Sequence, residues 1–181
     1  MEQMTQEFES YMQAFRASLS STEVEVAEEV RKVIEAIDIG QDKKGFSSWA
    51  HEELVRAREK LSRLSEPLGE FISYHETHSD FAYIWRKGKQ AVDWQPMKTE
   101  LGKRLKGIKV TNVEVENELT VKYMEQQYYS MLHRRRADEL ILLLESVDRM
   151  LRSIDSRIRE VERQGRLSQD HYVEPNLSQN L

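Results

Sequence analysis

The basic residues of the chain are concentrated between residues 83 and 109, where aromatic side chains lie among them. This stretch holds eight basic and two acidic residues, although the whole chain has a net charge of −5. Cations that follow a nucleic-acid backbone, together with aromatic faces on which unstacked bases stack, are typical of single-strand binding sites. Affinity would then come from phosphate neutralisation and would depend strongly on salt. The residues predicted to bind nucleic acid are Tyr83, Trp85, Arg86, Lys87, Lys89, Trp94, Lys98, Lys103, Arg104, Lys106 and Lys109.

The same stretch fits a second interpretation, in which it is the solvated end of a helical hairpin and its tryptophans fill the small core at the turn. A second cationic cluster is open to two interpretations as well: His133, Arg134, Arg135 and Arg136. Its arginines either pair on the surface with the Glu-rich N-terminal region or line a groove in an oligomer. In such a groove their guanidinium planes would suit bidentate phosphate contacts.

No set of residues with catalytic spacing occurs in the sequence. One cluster resembles a metal site: His75, Glu76, His78 and Asp80. Two histidines three residues apart are a weak signal, because zinc needs three or four ligands. We expect these histidines to be solvated on the surface. The sequence also lacks a Gly-rich phosphate loop and a nucleophile with a neighbouring base. We therefore expect a non-enzymatic protein without a metal or another cofactor.

The longest predicted element is a helix of about 50 residues from Thr111 to about Arg163, with no Pro or Gly inside it. Thr111 and Glu114 have the spacing of a capping box at its start. The first half of this helix, residues 113–132, is expected to pack against the chain's own first long helix through an apolar stripe of Val121, Met124, Tyr128 and Met131. Later apolar residues recur at steps of four and three, as at the a and d positions of a coiled coil. The residues predicted to drive oligomerisation are Leu140, Leu144, Val147, Leu151, Ile154, Ile158 and Val161.

The N-terminal region is acidic, with nine acidic and three basic residues among the first 40. Thr22 and Glu25 have capping-box spacing at the start of its main helix, and Gly40 is predicted to end that helix. This helical arm could lie over a basic surface of the same chain or of a neighbouring copy. Such an arm could also mimic nucleic acid and inhibit a partner.

The long C-terminal helix needs a partner, which the preceding segment provides. A helix is predicted over 48–87, with a kink or restart at Pro67, and it pairs antiparallel with the long helix. The connection turns at Gly88 and includes a short basic helix that starts at Pro96. The predicted domains are residues 1–45 (acidic helical arm), 46–165 (helical hairpin core with the basic connection 83–109) and 166–181 (flexible tail).

Composition supports an all-α fold. Charged residues make up 33% of the chain, which has 7 glycines and 3 prolines, as in helical, elongated proteins. The absence of cysteine fits a reducing compartment. No secretory signal and no apolar run of membrane-spanning length occurs. We expect an elongated antiparallel helical hairpin with a long C-terminal coiled-coil-like helix and an N-terminal arm, located in the cytoplasm (of a host, if phage-encoded) and without a membrane partner.

From about residue 48 to 163 the layout resembles that of phage recombination mediators of the UvsY type. The shared pattern is a long first helix, a basic glycine-containing segment with aromatics (YIWRKGKQAVDW), a short helix (MKTELGKRLKG) and a long helix ending ESVDRMLRSIDSRIREVE. The resemblance implies an all-helical subunit that assembles into a ring and binds single-stranded DNA. It also implies loading of a RecA-like recombinase onto strands coated by single-strand-binding protein. Lys87 and Lys89 would lie in the matching DNA-binding segment, whereas the acidic arm departs from the family pattern.

The leading functional expectation is therefore a homo-oligomeric mediator that binds single-stranded DNA. The alternative is a structural or adaptor coiled-coil protein of a phage or cellular assembly, in which the basic stretch pairs with an acidic protein surface. Both predict oligomerisation, so nucleic-acid binding is the property that separates them.

Overall fold

The structure is a computed structural model that describes residues 10–11, 13–44, 50–106 and 109–170. Regular secondary structure in these ranges is helical throughout, which confirms the predicted all-α class. None of the described helices is both long and apolar enough to cross a membrane. Residues 10–11 and 13–18 are helical. The longer helices are α1 (Ser21–Lys44), α2 (His51–Arg104), α3 (Asn112–Lys122) and α4 (Met124–Asp170).

Helix α1 starts and ends differently from the sequence prediction. The Ser20 hydroxyl accepts a hydrogen bond from the backbone N–H of Glu23 at 3.1 Å, so Ser20 caps the helix. The capping box predicted for Thr22 and Glu25 is therefore wrong, because the cap lies two residues earlier in the chain. The helix also passes through Gly40, where it was predicted to end. A single glycine inside a helix costs only about 1 kcal/mol, which does not by itself stop a helix.

Helix α2 is uninterrupted over 54 residues, so the predicted turn at Gly88 and the separate helix from Pro96 are wrong. Pro67 does not restart the helix either. Each proline removes one backbone hydrogen bond, at a cost of about 3 kcal/mol. Burial of one large apolar side chain contributes a similar amount, and α2 buries several along one face. The buried residues are Leu54, Leu61, Leu68, Ile72, His75, Ser79, Ala82 and Leu101. The predicted start at residue 48 lies outside the described residues.

The predicted long C-terminal helix is divided into α3 and α4. Its predicted capping box is confirmed, because the Thr111 hydroxyl accepts from the Glu114 N–H and the Glu114 carboxylate accepts from the Thr111 N–H. The division falls at Tyr123, whose side chain is buried and whose N–H bonds to carbonyls of α3. At its other end α4 continues past Arg163 into the predicted tail, while residues 171–181 lie outside the described part.

The chain forms two compact units. The first consists of Met1–Val24 and Gly69–Ile141, and the second of Glu25–Leu68 and Leu142–Leu181. Every residue of the predicted nucleic-acid site therefore lies in the first unit.

In the first unit, α2 and α4 run antiparallel, as predicted. His75 on α2 pairs with His133 on α4, whereas Arg86, farther along α2, pairs with the earlier Gln127. Helix α3 folds against the end of α2 around a small apolar core. The buried members of this core are Leu101, Val115, Leu119 and Tyr123, with Trp94, Met97 and Val110 packed against them.

In the second unit, α1 and the first part of α2 pack with the second part of α4. Helices α2 and α4 are antiparallel here too, with Arg58 Nε 2.6 Å from Asp155 Oδ1 and His51 3.6 Å from Glu162. Three residues of the predicted oligomerisation seam are fully buried within the single chain: Val147 and Ile154 in this unit, and Leu140 in the first unit. Leu144, Leu151, Ile158 and Val161 are half-buried. Their role in oligomerisation stays a prediction.

Candidate nucleic-acid interface

The outward face of α2 between residues 81 and 92 combines large apolar side chains with lysines. Phe81, Ile84 and Val92 are 70%, 67% and 71% exposed, whereas five other large apolar residues of α2 are buried. Gly88 lies on the same face, and a Cβ atom added there would meet nothing within 4 Å. We did not single out this face from the sequence, although its spacing of three and four residues is visible there.

Tyr83 and Trp85 each lie beside cations one helical turn away. The guanidinium of Arg86 and the ammonium of Lys87 lie 5.7 and 5.9 Å from the centre of the Tyr83 ring. The ammonium of Lys89 lies 5.8 Å from the centre of the Trp85 ring. Both aromatic rings remain partly exposed. The structure thus brings together the first five predicted binding residues on one helix, in a geometry that suits base stacking and phosphate contact.

Six lysines of the predicted site lack an ion-pair partner among the described residues. Five are exposed and Lys98 is half-buried. Their positive charge is therefore available to an anion from outside the chain. These lysines are Lys87, Lys89, Lys98, Lys103, Lys106 and Lys109.

Three other residues of the predicted site are held by contacts inside the unit. Arg86 donates to Gln127 Oε1 at 2.7 Å, and Arg104 donates to Glu118 Oε1 at 2.7 Å. Trp94 packs against the core between α2 and α3. These contacts position the face, so we expect the two arginines and Trp94 to contribute more to stability than to ligand binding.

Trp94 nevertheless lines an open groove of about 400 Å³ between α2 and α3. The groove combines an aromatic ring, an ammonium group, an amide and a carboxylate, which are groups that contact bases and phosphates. We did not single out Gln90 and Glu116 from the sequence, since they meet only because α3 folds back on α2. The lining residues are Lys87, Gln90, Ala91, Trp94, Glu116 and Leu119.

The acidic residue Asp93 is neutralised locally. Lys122 and the Tyr123 hydroxyl both donate to Asp93 Oδ2. The hydrogen bond from Lys122, followed by that from Tyr123, lowers the pKa of Asp93. One of the two carboxylates in the basic stretch is therefore compensated mainly by Lys122, with a smaller electrostatic contribution from Lys89.

The predicted surface histidine His75 is instead buried, which corrects the sequence interpretation. Its Nδ1 lies 2.8 Å from Nδ1 of His133, and its Nε2 lies 3.1 Å from Oε2 of Glu23. The other carboxylate oxygen of Glu23 accepts from Arg136 Nε at 2.6 Å. We call these four residues the histidine network. No group of three or more His, Asp or Glu side chains suited to a metal ion exists among the described residues.

The His133–Arg136 cluster is mainly paired with acidic residues. Arg136, which reaches Glu23, pairs with the N-terminal region as one of our two interpretations predicted. Arg134 lies 3.7 Å from Glu76, and Arg135 lies 3.5 Å from Glu139. A phosphate-binding groove formed by these arginines in an oligomer stays a prediction.

His133 is held neutral in this environment. Burial lowers the pKa of His133 to about 4, and positive charge on His75 and His78 contributes to the shift, while Glu23 opposes it. The ring of His133 is enclosed by aromatic side chains. The centre of the Phe15 ring lies 4.9 Å away, that of Tyr129 lies 4.4 Å away, and His78 stacks at 5.2 Å.

Comparisons with protein families, with curated proteins and with solved structures found no match to this chain.

Proposed function

We propose that the chain is a non-enzymatic protein that binds single-stranded DNA through the outward face of α2 and the lysines that follow it. The observation that supports this proposal is the set of six lysines without an ion-pair partner among the described residues. Two of them lie next to exposed aromatic rings, Lys87 beside Tyr83 and Lys89 beside Trp85, and Lys87 also lines the groove beside Trp94. Lysines supply sequence-independent phosphate contacts, while exposed aromatic rings supply stacking.

The geometry favours a flexible strand over a duplex. A single strand can turn its bases toward Tyr83 and Trp85 while its phosphates follow the lysines. Duplex DNA presents its bases only in its grooves, so these rings would contact the backbone alone. We therefore expect preference for single strands with little sequence selectivity.

In this proposal the protein acts as a homo-oligomeric recombination mediator that helps load a RecA-like recombinase, as its resemblance to UvsY-type proteins implies. Self-assembly would multiply a weak site by avidity. Leu140, Val147 and Ile154 are buried within the single chain. Contacts between copies would therefore involve the half-buried seam residues and exposed apolar residues.

The test is binding of a fluorescent oligothymidine by the wild type and by Lys87→Ala/Lys89→Ala. The matched control is Arg31→Ala/Arg63→Ala, which removes the same charge from exposed positions of the second unit. We expect weaker binding by the first variant only. Equal loss in both variants would show that net charge alone decides binding. No binding of the wild type at low salt would refute the proposal.

A structural or adaptor role is the second candidate, and the exposed apolar residues Phe81, Ile84 and Val92 favour it. In that case the face of α2 would bind an acidic, apolar protein surface. The oligonucleotide titration separates the two candidates, because only the first predicts binding to DNA.

A further inference from the structure

The N-terminal segment of the first unit packs on α2 and α4 through a few partly buried side chains, among them Tyr11, Phe15 and Leu19. It comprises residues 10–11 and 13–20, and most of its side chains are exposed. Its contacts include a hydrogen bond from the Tyr11 hydroxyl to Glu125 at 3.1 Å, and Phe15 against the His133 ring. At the start of α1, Glu23 adds the buried contacts to His75 and Arg136. The histidine network therefore holds this segment at its most buried point.

The hydrogen bonds of the network determine where its protons lie. An ionised carboxylate can only accept hydrogen bonds, so Glu23 requires a proton on His75 Nε2. Neutral His75 then has a bare Nδ1, which accepts from Nδ1–H of His133 at 2.8 Å. A single proton thus lies between the two Nδ1 atoms, and His133 carries none on Nε2.

The network can take up one further proton but not two. If His75 becomes charged, it donates from both nitrogens, to Glu23 and to His133, and His133 moves its own proton to Nε2. If both rings become charged, two N–H groups face each other across 2.8 Å. The second charge would also lie close to Arg136 and against the imidazole ring of His78, with Glu23 as the single carboxylate in the network.

The groups packed around His133 offer little to stabilise that second charge. From α2 they are His75, His78 and Tyr74, and from α4 they are Tyr129 and Arg136. Helix α1 contributes Glu23, which already accepts from Arg136 and His75. The N-terminal segment contributes the apolar ring of Phe15, and its Arg16 lines a small cavity with Arg136.

We propose that the histidine network is an acid-sensitive latch, in which protonation of both histidines releases residues 13–24 from α2 and α4. Helices α2 and α4 remain joined by contacts that do not titrate in this range. Among these are the Ser79–Ser130 and Arg86–Gln127 hydrogen bonds. The element that is freed is therefore the N-terminal segment with the first turn of α1. Release uncovers the face of α4 around Tyr129 and Leu132, which now lines an open pocket of about 420 Å³ together with Phe15.

The test is amide hydrogen exchange of the full chain, corrected for the intrinsic effect of pH. Because opening is coupled to proton uptake by the network, exchange of residues 13–24 should rise between about pH 6 and pH 4, by about tenfold per pH unit for each proton taken up. Exchange of the α2 segment 54–68 should not change. In His133→Asn, the side-chain amide can donate to His75 but cannot take up a proton, so the pH dependence of exchange should be clearly weaker than in the wild type. The matched control His51→Asn removes an exposed histidine of the second unit and should behave as the wild type.

Two results would overturn the latch. One is a wild-type segment 13–24 that stays equally protected down to pH 4. The other is an unchanged pH dependence in His133→Asn. If His133→Asn fails to fold, the hydrogen bonds of the network can still be tested on the wild type. Nitrogen NMR of the histidines at neutral pH should show a protonated Nε2 on His75 and a proton shared between the two Nδ1 atoms. Bare Nδ1 atoms on both rings would contradict the proposed hydrogen bonds.

Discussion

Removing Lys87 and Lys89 should change the salt dependence of DNA binding as well as its strength. Each lysine that contacts a phosphate of a single strand releases counterions and contributes about −0.7 to the slope of log K against log salt. Six lysines of the basic stretch lack an ion-pair partner among the described residues. If all six contact phosphates, the slope per bound chain is about −4, and the double variant should have a slope of about −3.

These slopes correspond to distinct losses of affinity. Between roughly 50 and 200 mM salt, six contacts predict about a 300-fold loss, and four contacts predict about a 50-fold loss. The double variant should therefore differ most from the wild type at low salt and approach it as salt rises. Because Lys87 and Lys89 lie on exposed positions of a continuous helix, we expect no rearrangement to replace the lost contacts.

The assay is fluorescence anisotropy of a labelled oligothymidine over a salt series, with Arg31→Ala/Arg63→Ala as the control of equal charge. Helicity measured by circular dichroism should be the same in all three proteins, since both pairs are exposed. A slope that stays at the wild-type value in Lys87→Ala/Lys89→Ala would place the phosphate contacts elsewhere. A slope near zero in the wild type would refute electrostatic binding altogether.

Three further predictions concern stability. As pH falls from about 6.5 to 4, the free energy of unfolding should decrease by at most about 3 kcal/mol, because the unfolded chain takes up a proton on His133 that the folded chain excludes. Urea denaturation at several pH values measures this, and the loss should be absent in His133→Asn. Thr111→Ala should lower the free energy of unfolding by about 1 kcal/mol through loss of the capping box, and an unchanged urea midpoint would contradict this. Gly88→Ala should raise it by about 0.5–1 kcal/mol, because the added methyl group meets no other atom and the unfolded chain loses freedom. A lower thermal midpoint for this variant would contradict this reasoning, because it would indicate that a side chain at position 88 strains the helix.

Local patterns in the sequence were sufficient where short-range interactions decide the structure. The capping box of Thr111 and Glu114 was correctly predicted, because both partners lie within one helical turn. The antiparallel pairing of the two long helical segments was also predicted, from their similar lengths and the connection at one end, although Val121 and Met131 of the predicted apolar stripe are exposed. Predictions from glycine and proline were wrong at Gly40, Gly88 and Pro96, where the helix continues. The intrinsic cost of these residues is a few kcal/mol at most, and in α2 burial of its inner face offsets that cost.

In the candidate sites too, the sequence determined the local features and the tertiary structure decided the long-range contacts. Residue types and spacing alone identified the cations and aromatic rings of the basic stretch, since adjacent turns of one helix bring Tyr83 to Lys87 and Trp85 to Lys89. Only the tertiary structure revealed which cations are free, because Arg86 and Arg104 find partners on α4 and α3. The histidine network could not be predicted for the same reason. Glu23, His75 and His133 are 52 and 58 residues apart along the chain, and only the packing of three helices brings them within hydrogen-bond distance.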